Sequence, residues 1–155
     1  MMKPLFGSTR ALIWSMACVL LNYGMFPVSA SAQVASHQDA MDVSLSGQPG
    51  DVLRGKKIVL SRQAGLCILC HSGPFPEERF QGNLAPDLAG SAEKLTAGQI
   101  RARIVNPRQF NPNSIMPAYF STEGLTRVSS QYTGKPILSA QEIEDVVAYL
   151  VSLKR

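Results

Sequence analysis

Three residues within five consecutive positions have side chains that can bind a metal or a cofactor. Cys67, Cys70 and His71 form the pattern Cys-x-x-Cys-His in a chain with 3 cysteines and 2 histidines. This spacing is the attachment pattern of c-type haem. Residues three and four positions apart share a face of a helical turn, so both thiols and the imidazole would point the same way. The thiols can then form thioethers with two haem vinyl groups, and the imidazole can reach the iron along its axis.

Zinc binding and thiol redox chemistry are the alternatives for a Cys-x-x-Cys pair, and the sequence favours neither. A structural zinc ion takes four ligands, and downstream of residue 32 the chain has no second Cys/His pair. A thioredoxin-like site expects alternating strands and helices, whereas no strand-period run occurs here. A disulfide across so short a loop would constrain little of the chain. The pattern therefore predicts one covalently bound haem c.

A haem iron in an electron-transfer cytochrome needs a second axial ligand, and Met116 is the predicted one. Histidine and methionine commonly hold such an iron together. Met116 lies in the proline-bounded loop "NPNSIMP", which is stiff enough to hold a thioether in place. The competing candidates, Met41 and His37, lie in a polar stretch. A lone methionine is more often a core residue, but the predicted haem favours ligation by Met116.

The loop "NLAPDL" (Asn83–Leu88) is the expected partner of the histidine ligand. A metal-ligating histidine normally donates its other ring N–H to a carbonyl or a carboxylate. The carbonyl of Pro86 is the predicted acceptor, and the alternative is that Pro86 only shapes a turn. With His71 and Met116 as ligands of the iron, the predicted haem-binding residues are Cys67, Cys70, His71, Pro86 and Met116.

The N-terminal residues 1–32 have the order of a secretory signal peptide. Two basic residues precede an uncharged apolar stretch over residues 11–28, and "ASA" at residues 30–32 supplies small residues for cleavage after Ala32. A retained membrane anchor would need roughly 20 continuous apolar residues, and this run is interrupted at Asn22, Gly24 and Pro27. The protein is therefore expected to be exported to the periplasm.

The mature chain, residues 33–155, suits one small domain. Cleavage removes Cys18, whose surroundings are unlike a lipid attachment site, and leaves 123 of the 155 residues. It also removes two basic residues, so that 13 Lys and Arg remain with 11 Asp and Glu, a net charge of +2. So weak a charge argues against nucleic acid as a partner.

The mature chain divides into a lead-in and a domain. Residues 33–50 are polar, show no apolar period and end in Pro-Gly, so a flexible lead-in is expected there. The domain is predicted over residues 51–155, with a first helix that begins after Asp51 as N-cap. Residues 72–92 are rich in proline and glycine and are expected to be a loop, and residues 121–138 also look irregular.

Two capping boxes predict the other helices. Thr96 and Gln99 open a short helix that Pro107 ends. Ser139 and Glu142 open the clearest helix, whose apolar residues recur at spacings of three and four: Ile143, Val146, Val147, Leu150 and Leu153. The predicted fold class is therefore all-α. Short helices joined by long loops make a thin core unless the loops wrap something large and apolar, such as a haem.

The order of these features resembles a class I cytochrome c: a helix, CxxCH, a Pro-Asp-Leu loop, a Met-Pro loop and a C-terminal helix. In that family, Pro86 and Met116 match the histidine-orienting proline and the axial methionine. The resemblance also implies that the first and last helices pack together, with Gly55 against Tyr149.

A narrower resemblance, over roughly residues 54–155, is to the SoxX subunits of bacterial sulfur-oxidising SoxAX cytochromes. It lies in "GNLAPDLAG", "RIVNPRQFNPNSIMPAYF", "GLTRV" and "GKPILSAQEIEDVVAYLVSLKR". The resemblance implies a heterodimer with a SoxA-like haem protein, at whose haem thiosulfate is joined oxidatively to a cysteine of a SoxYZ-like carrier. This chain would then receive the electrons and pass them to a small soluble acceptor.

No residue of this chain is expected to be catalytic. An iron held by both His71 and Met116 has no open position for a substrate, and the mature chain has no thiol beyond the two expected to hold haem. A free-standing soluble electron shuttle and a non-haem CxxC binding module are the competing functions. Residues 121–138, which place Arg127 and Tyr132 beside the Met loop, are a candidate partner surface, with a solvated connector as the alternative.

Overall fold

The computed structural model describes residues 39–154, and the predicted signal peptide, Cys18 and His37 lie outside that range. Within it there are helices but no strands, which confirms the all-α fold class. The helices are α1 (Val52–Leu60), α2 (Leu88–Lys94), α3 (Ala97–Val105) and α4 (Ala140–Ser152). Short 3-10 turns occur at Cys67–Leu69, Pro107–Gln109 and Ser130–Tyr132. None of the helices between residues 39 and 154 is long and apolar enough to cross a membrane.

Helices α1 and α4 pack in close contact at Gly55. The Asp51 side chain caps α1 as predicted, by accepting a hydrogen bond from Arg54 N–H at 2.7 Å. A Cβ atom at position 55 would lie 1.9 Å from Asp145 O and 2.8 Å from Tyr149 Cβ. Only glycine therefore allows α1 to approach α4 at this point, and the expected packing of Gly55 against Tyr149 is confirmed.

Helix α4 supplies much of the core. Its capping box forms as predicted, because the Ser139 side chain accepts from Glu142 N–H while the Glu142 carboxylate accepts from Ser139 N–H at 2.8 Å. Its inward face packs against side chains from the other elements, and the buried cluster includes Val59, Ile68, Ile104, Tyr119, Leu138, Ile143, Val146, Val147 and Leu150. Full burial of each aliphatic side chain contributes about 1.5–3 kcal/mol to stability.

Helix α3 follows its predicted capping box and ends at Val105, two residues before Pro107. The expected loop over residues 72–92 is wrong at its C-terminal end, where α2 begins. Asp87 caps α2, because its Oδ1 atom accepts from Gly90 N–H at 3.1 Å. The alanine, glutamate and lysine that follow Gly90 are good helix formers, and they extend this capped turn.

Residues 39–50 of the expected flexible lead-in are packed against α3 and α4. Met41 N–H donates to Gly98 O at 3.0 Å, and Leu45 N–H donates to the Glu144 carboxylate at 2.9 Å. Residues 39–50 therefore differ from the expectation, because polar groups of the two helices hold them. A polar segment without an apolar period gives no sequence signal for such contacts.

Candidate haem site

Cys67, Cys70 and His71 lie on one tight turn. Both Cys70 N–H and His71 N–H donate to Cys67 O, at 3.2 and 2.9 Å. Leu66 precedes the turn with a φ of 60°, in the left-handed region that side chains other than glycine seldom adopt. This residue redirects the chain from the loop after α1 into the Cys-x-x-Cys-His turn.

A cavity of about 460 Å³ lies beside this turn. All five predicted haem-binding residues line it: Cys67, Cys70, His71, Pro86 and Met116. The rest of the wall is mostly aliphatic and includes Val59, Leu69, Leu84, Leu88, Ile104, Ile115, Leu138, Val146 and Leu150. Met41, the competing methionine, is not among the lining residues and packs against the core instead. The volume falls within the range of roughly 300–1,000 Å³ that is typical of cofactor sites.

The His71 ring is oriented by the loop that follows it. His71 Nδ1 lies 2.6 Å from Pro86 O. Only a protonated Nδ1 can donate to a carbonyl oxygen, so this contact selects the tautomer in which Nε2 carries a lone pair. The Pro86 loop is held in turn by Ala85 N–H, which donates to Cys70 O at 2.9 Å. The imidazole can therefore present Nε2 as a metal ligand in a fixed orientation.

Met116 reaches the same cavity from another loop. The residue is half-buried, and its N–H donates to Ser114 Oγ at 3.3 Å within the proline-bounded stretch. The structure thus brings a thioether and an imidazole from two different loops to one cavity. This is the donor pair that holds the iron in many electron-transfer cytochromes.

The two cysteines carry the thiols that a covalent attachment would use. Both Cys67 and Cys70 are free. Burial raises the pKa of the Cys67 thiol to about 11, so the thiol is protonated at neutral pH, and it donates to Gly65 O at 3.3 Å. The Tyr119 hydroxyl donates to the same carbonyl at 2.5 Å, and burial raises the pKa of this phenol as well.

Tyr119 is a residue of the site that sequence reasoning missed. It lines the cavity, and its side chain is 4% exposed. Its partner Gly65 lies 54 residues away in the sequence, so no local pattern links the two. The available signal is an aromatic residue three positions after Met116 in the same loop.

The chemistry of this lining fits a haem c. Two thiols and an oriented imidazole share one wall, and most of the remaining wall is hydrocarbon. Three large aliphatic side chains of the lining are also exposed at the surface, to 47% for Leu69, 68% for Leu84 and 74% for Ile115. A large flat apolar group in the cavity would remove such aliphatic surface from water, which is favourable.

Comparison with known proteins agrees with this geometry. The cytochrome c family model matches residues 52–154. Among solved structures, the chain is similar to one titled "Crystal structure of SoxXA from P. pantotrophus". The two are 36% identical with a TM-score of 0.69, and the match covers 76% of this chain and 91% of that chain. No curated protein gives a significant match.

Proposed function

The chain belongs to the cytochrome c family as a SoxX-type member that binds haem c, and from this premise we propose that it is the electron-accepting subunit of a periplasmic SoxAX complex. Its partner is a SoxA-like haem protein. That partner joins thiosulfate oxidatively to a cysteine of a SoxYZ-like carrier, and this chain passes the electrons to a small soluble acceptor. The observation that carries the proposal is the single cavity lined by Cys67, Cys70, His71 and Met116.

Five residues hold the haem in this proposal. Cys67 and Cys70 would hold the haem covalently through their sulfur atoms. His71 Nε2 and the Met116 sulfur would be the protein ligands of the iron, and the Pro86 carbonyl keeps the imidazole in orientation. Haem c bound in this way supplies reversible one-electron transfer.

The chain itself contributes no substrate chemistry. With His71 and Met116 both as ligands, the haem would serve electron transfer and would offer thiosulfate no open site. Joining thiosulfate to a thiol releases two electrons and one proton, and that step belongs to the partner. The residues of this chain hold both ligands on hydrogen-bonded loops, so that little rearrangement accompanies each change of charge.

Export through a cleaved signal peptide is part of the proposal. Residues 1–32 supply the basic, apolar and small-residue regions that a signal peptidase substrate has. Mass spectrometry of the purified protein is expected to find Gln33 as the first residue. A mature protein that begins at Met1 would contradict export by this route.

Residues 121–138 are the proposed partner surface. Most of them are exposed, while the C-terminal end of the segment is fixed to the site. There, Ile137 N–H and Leu138 N–H donate to Tyr119 O at 2.9 and 3.0 Å. Deletion of Thr126–Thr133 is expected to weaken partner binding while the haem spectrum is retained. Unchanged binding would leave the segment as a solvated connector.

Copurification distinguishes the role of a complex subunit from the role of a free-standing electron carrier. The similarity to SoxXA does not favour the free-standing role. The tagged protein is purified from its own host grown on thiosulfate, separated by size exclusion, and each band is stained for covalent haem. A larger haem protein in stoichiometric amount is the expected companion. A control chain with Cys67→Ser and Cys70→Ser must lose its own stain. A lone haem-stained monomer would reject the subunit role.

A further inference from the structure

The Tyr119 side chain links two separate walls of the haem cavity. Its hydroxyl donates to Gly65 O at 2.5 Å, and Gly65 lies two residues before Cys67. Because the side chain is 4% exposed, water does not compete effectively for this bond. The loop that carries Met116 is thereby tied directly to the turn that carries the cysteines and the histidine.

The position of Gly65, whose carbonyl accepts this hydrogen bond, is fixed by its neighbours. A Cβ atom at this position would lie 2.2 Å from Ile58 O, so the residue is pressed against the end of α1. The Cys67 thiol also donates to Gly65 O, at 3.3 Å. A thioether has no S–H to donate, so once haem is attached Tyr119 supplies the side-chain hydrogen bond to this carbonyl.

The backbone of Tyr119 is fixed as well, and Met116 is close to it in sequence. Tyr119 N–H donates to Ile104 O of α3 at 3.1 Å, while its carbonyl accepts from the segment that leads into α4. Three positions separate Tyr119 from Met116, and the rigid ring of Pro117 lies between them. The placement of Tyr119 therefore limits where the Met116 sulfur can lie.

We propose that Tyr119 is a positioning residue for axial ligation, whose bond to Gly65 holds the Met116 loop at the spacing at which the sulfur reaches the iron. This inference rests on the proposed ligand pair, His71 and Met116. Without the hydroxyl, the loop moves away from the Cys-x-x-Cys-His turn more readily. Met116 is then displaced more easily by a competing ligand.

Imidazole binding to the ferric holoprotein tests the inference, because imidazole competes with methionine for the iron. Tyr119→Phe removes only the hydroxyl. This variant is expected to keep its covalent haem, to show a weaker far-red iron–sulfur absorption band, and to bind imidazole about tenfold more tightly. Such a change corresponds to ~1.4 kcal/mol, which is the scale of one hydrogen bond.

Tyr149→Phe is the matched control, since Tyr149 is also buried (6% exposed) but packs against Phe75 and does not line the cavity. Its imidazole affinity is expected to equal that of the wild type, even where its stability falls. An affinity of Tyr119→Phe within about twofold of the wild type would overturn the positioning role. If Tyr119→Phe lowered only the stability of the protein, the hydrogen bond would stabilise the fold without positioning Met116.

Two further variants keep the test decisive. If Tyr119→Phe does not fold, Pro117→Ala loosens the same connection and must itself bind imidazole more tightly, or the proposal fails.

Met116→Ala separates the premise from the inference. If Met116→Ala retains the far-red band, the ligand pair and the positioning role are both overturned. If the band is lost there while Tyr119→Phe binds imidazole like the wild type, the positioning role alone is overturned.

Discussion

Arg101 of α3 and Glu144 of α4 form a buried ion pair with two contacts of 2.8 Å, one from Nε and one from a terminal guanidinium nitrogen. Their side chains are 8% and 5% exposed. The Glu144 carboxylate also accepts from Leu45 N–H, and Arg101 also donates to Met41 O. The pair therefore joins two helices and the segment before α1 at one point.

Removing one partner of this pair is expected to destabilise the fold strongly. Arg101→Met leaves the Glu144 carboxylate buried without its cation, which costs about 3–5 kcal/mol. Denaturant unfolding of the holoprotein, followed by the circular dichroism of the helices, measures the loss. The control is Arg103→Met, because Arg103 lies in the same helix but is 32% exposed, and its contacts with Asp39 at 4.0 Å, with Gln99 O and with the Phe110 ring involve no buried carboxylate. It should lose about 1 kcal/mol or less, and equal losses would contradict the prediction.

Asp145 makes the stability of the fold sensitive to acid. Two hydrogen bonds from Arg54, the shorter of 2.7 Å, lower the pKa of this buried carboxyl to about 2, although burial alone would raise it. Hydrogen bonds from Asp51 N–H and from the Gln141 side chain lower the pKa further. In the unfolded chain, the carboxyl titrates near its ordinary pKa of about 3.9. Because the folded pKa is the lower one, the stabilisation is complete above about pH 4 and is lost as the pH falls through about 2.

Asp145→Asn should remove this part of the pH dependence and lower the stability at neutral pH. Urea midpoints are compared between about pH 6 and about pH 2, with helical circular dichroism as the signal so that changes at the haem do not contribute. Arg54→Met removes the cause of the shift instead of the carboxyl and is expected to flatten the same part of the curve. A wild-type slope in both variants would show that other groups govern acid unfolding.

The features that the sequence predicts best are local ones. Cys67, Cys70 and His71 share one wall because a single turn places them there. The caps Thr96 and Ser139 likewise bond to backbone groups three residues ahead. In each case the interacting residues are near neighbours in the chain, so their spacing alone determines the geometry.

The long-range hydrogen bonds could not be predicted in this way. Tyr119 bonds to Gly65 across 54 residues, and Arg101 bonds to Glu144 across 43. Periodicity and capping motifs describe one element at a time, and they do not encode which polar groups of separate elements meet. For the same reason the polar composition of residues 39–50 predicted flexibility, whereas partners on α3 and α4 hold this segment.

Gly55→Ala is expected to push α1 away from α4. The added Cβ would meet Asp145 O at 1.9 Å and Tyr149 Cβ at 2.8 Å, and overpacking of this kind costs about 1–3 kcal/mol. Gly90→Ala is the matched control, because its added Cβ meets only Asp87 Oδ1, at 3.9 Å. Alanine is favoured over glycine in a helix by about 0.5–1 kcal/mol. Thermal unfolding should therefore show a lower melting temperature for Gly55→Ala and a higher one for Gly90→Ala than for the wild type. Destabilisation of both by the same amount would contradict the close contact of α1 and α4.

Met116→Ala tests the proposed axial ligand directly. Loss of the sulfur is expected to abolish the far-red absorption band of the ferric protein and to lower its reduction potential, because methionine ligation raises the potential. Met41→Ala is the control, since Met41 packs against the core and does not line the cavity, and it should keep both properties. Covalent haem staining should be unchanged in both variants because the thioethers are intact, so a missing band reports lost ligation and not lost haem. A band that survives in Met116→Ala and disappears in Met41→Ala would instead identify Met41 as the ligand.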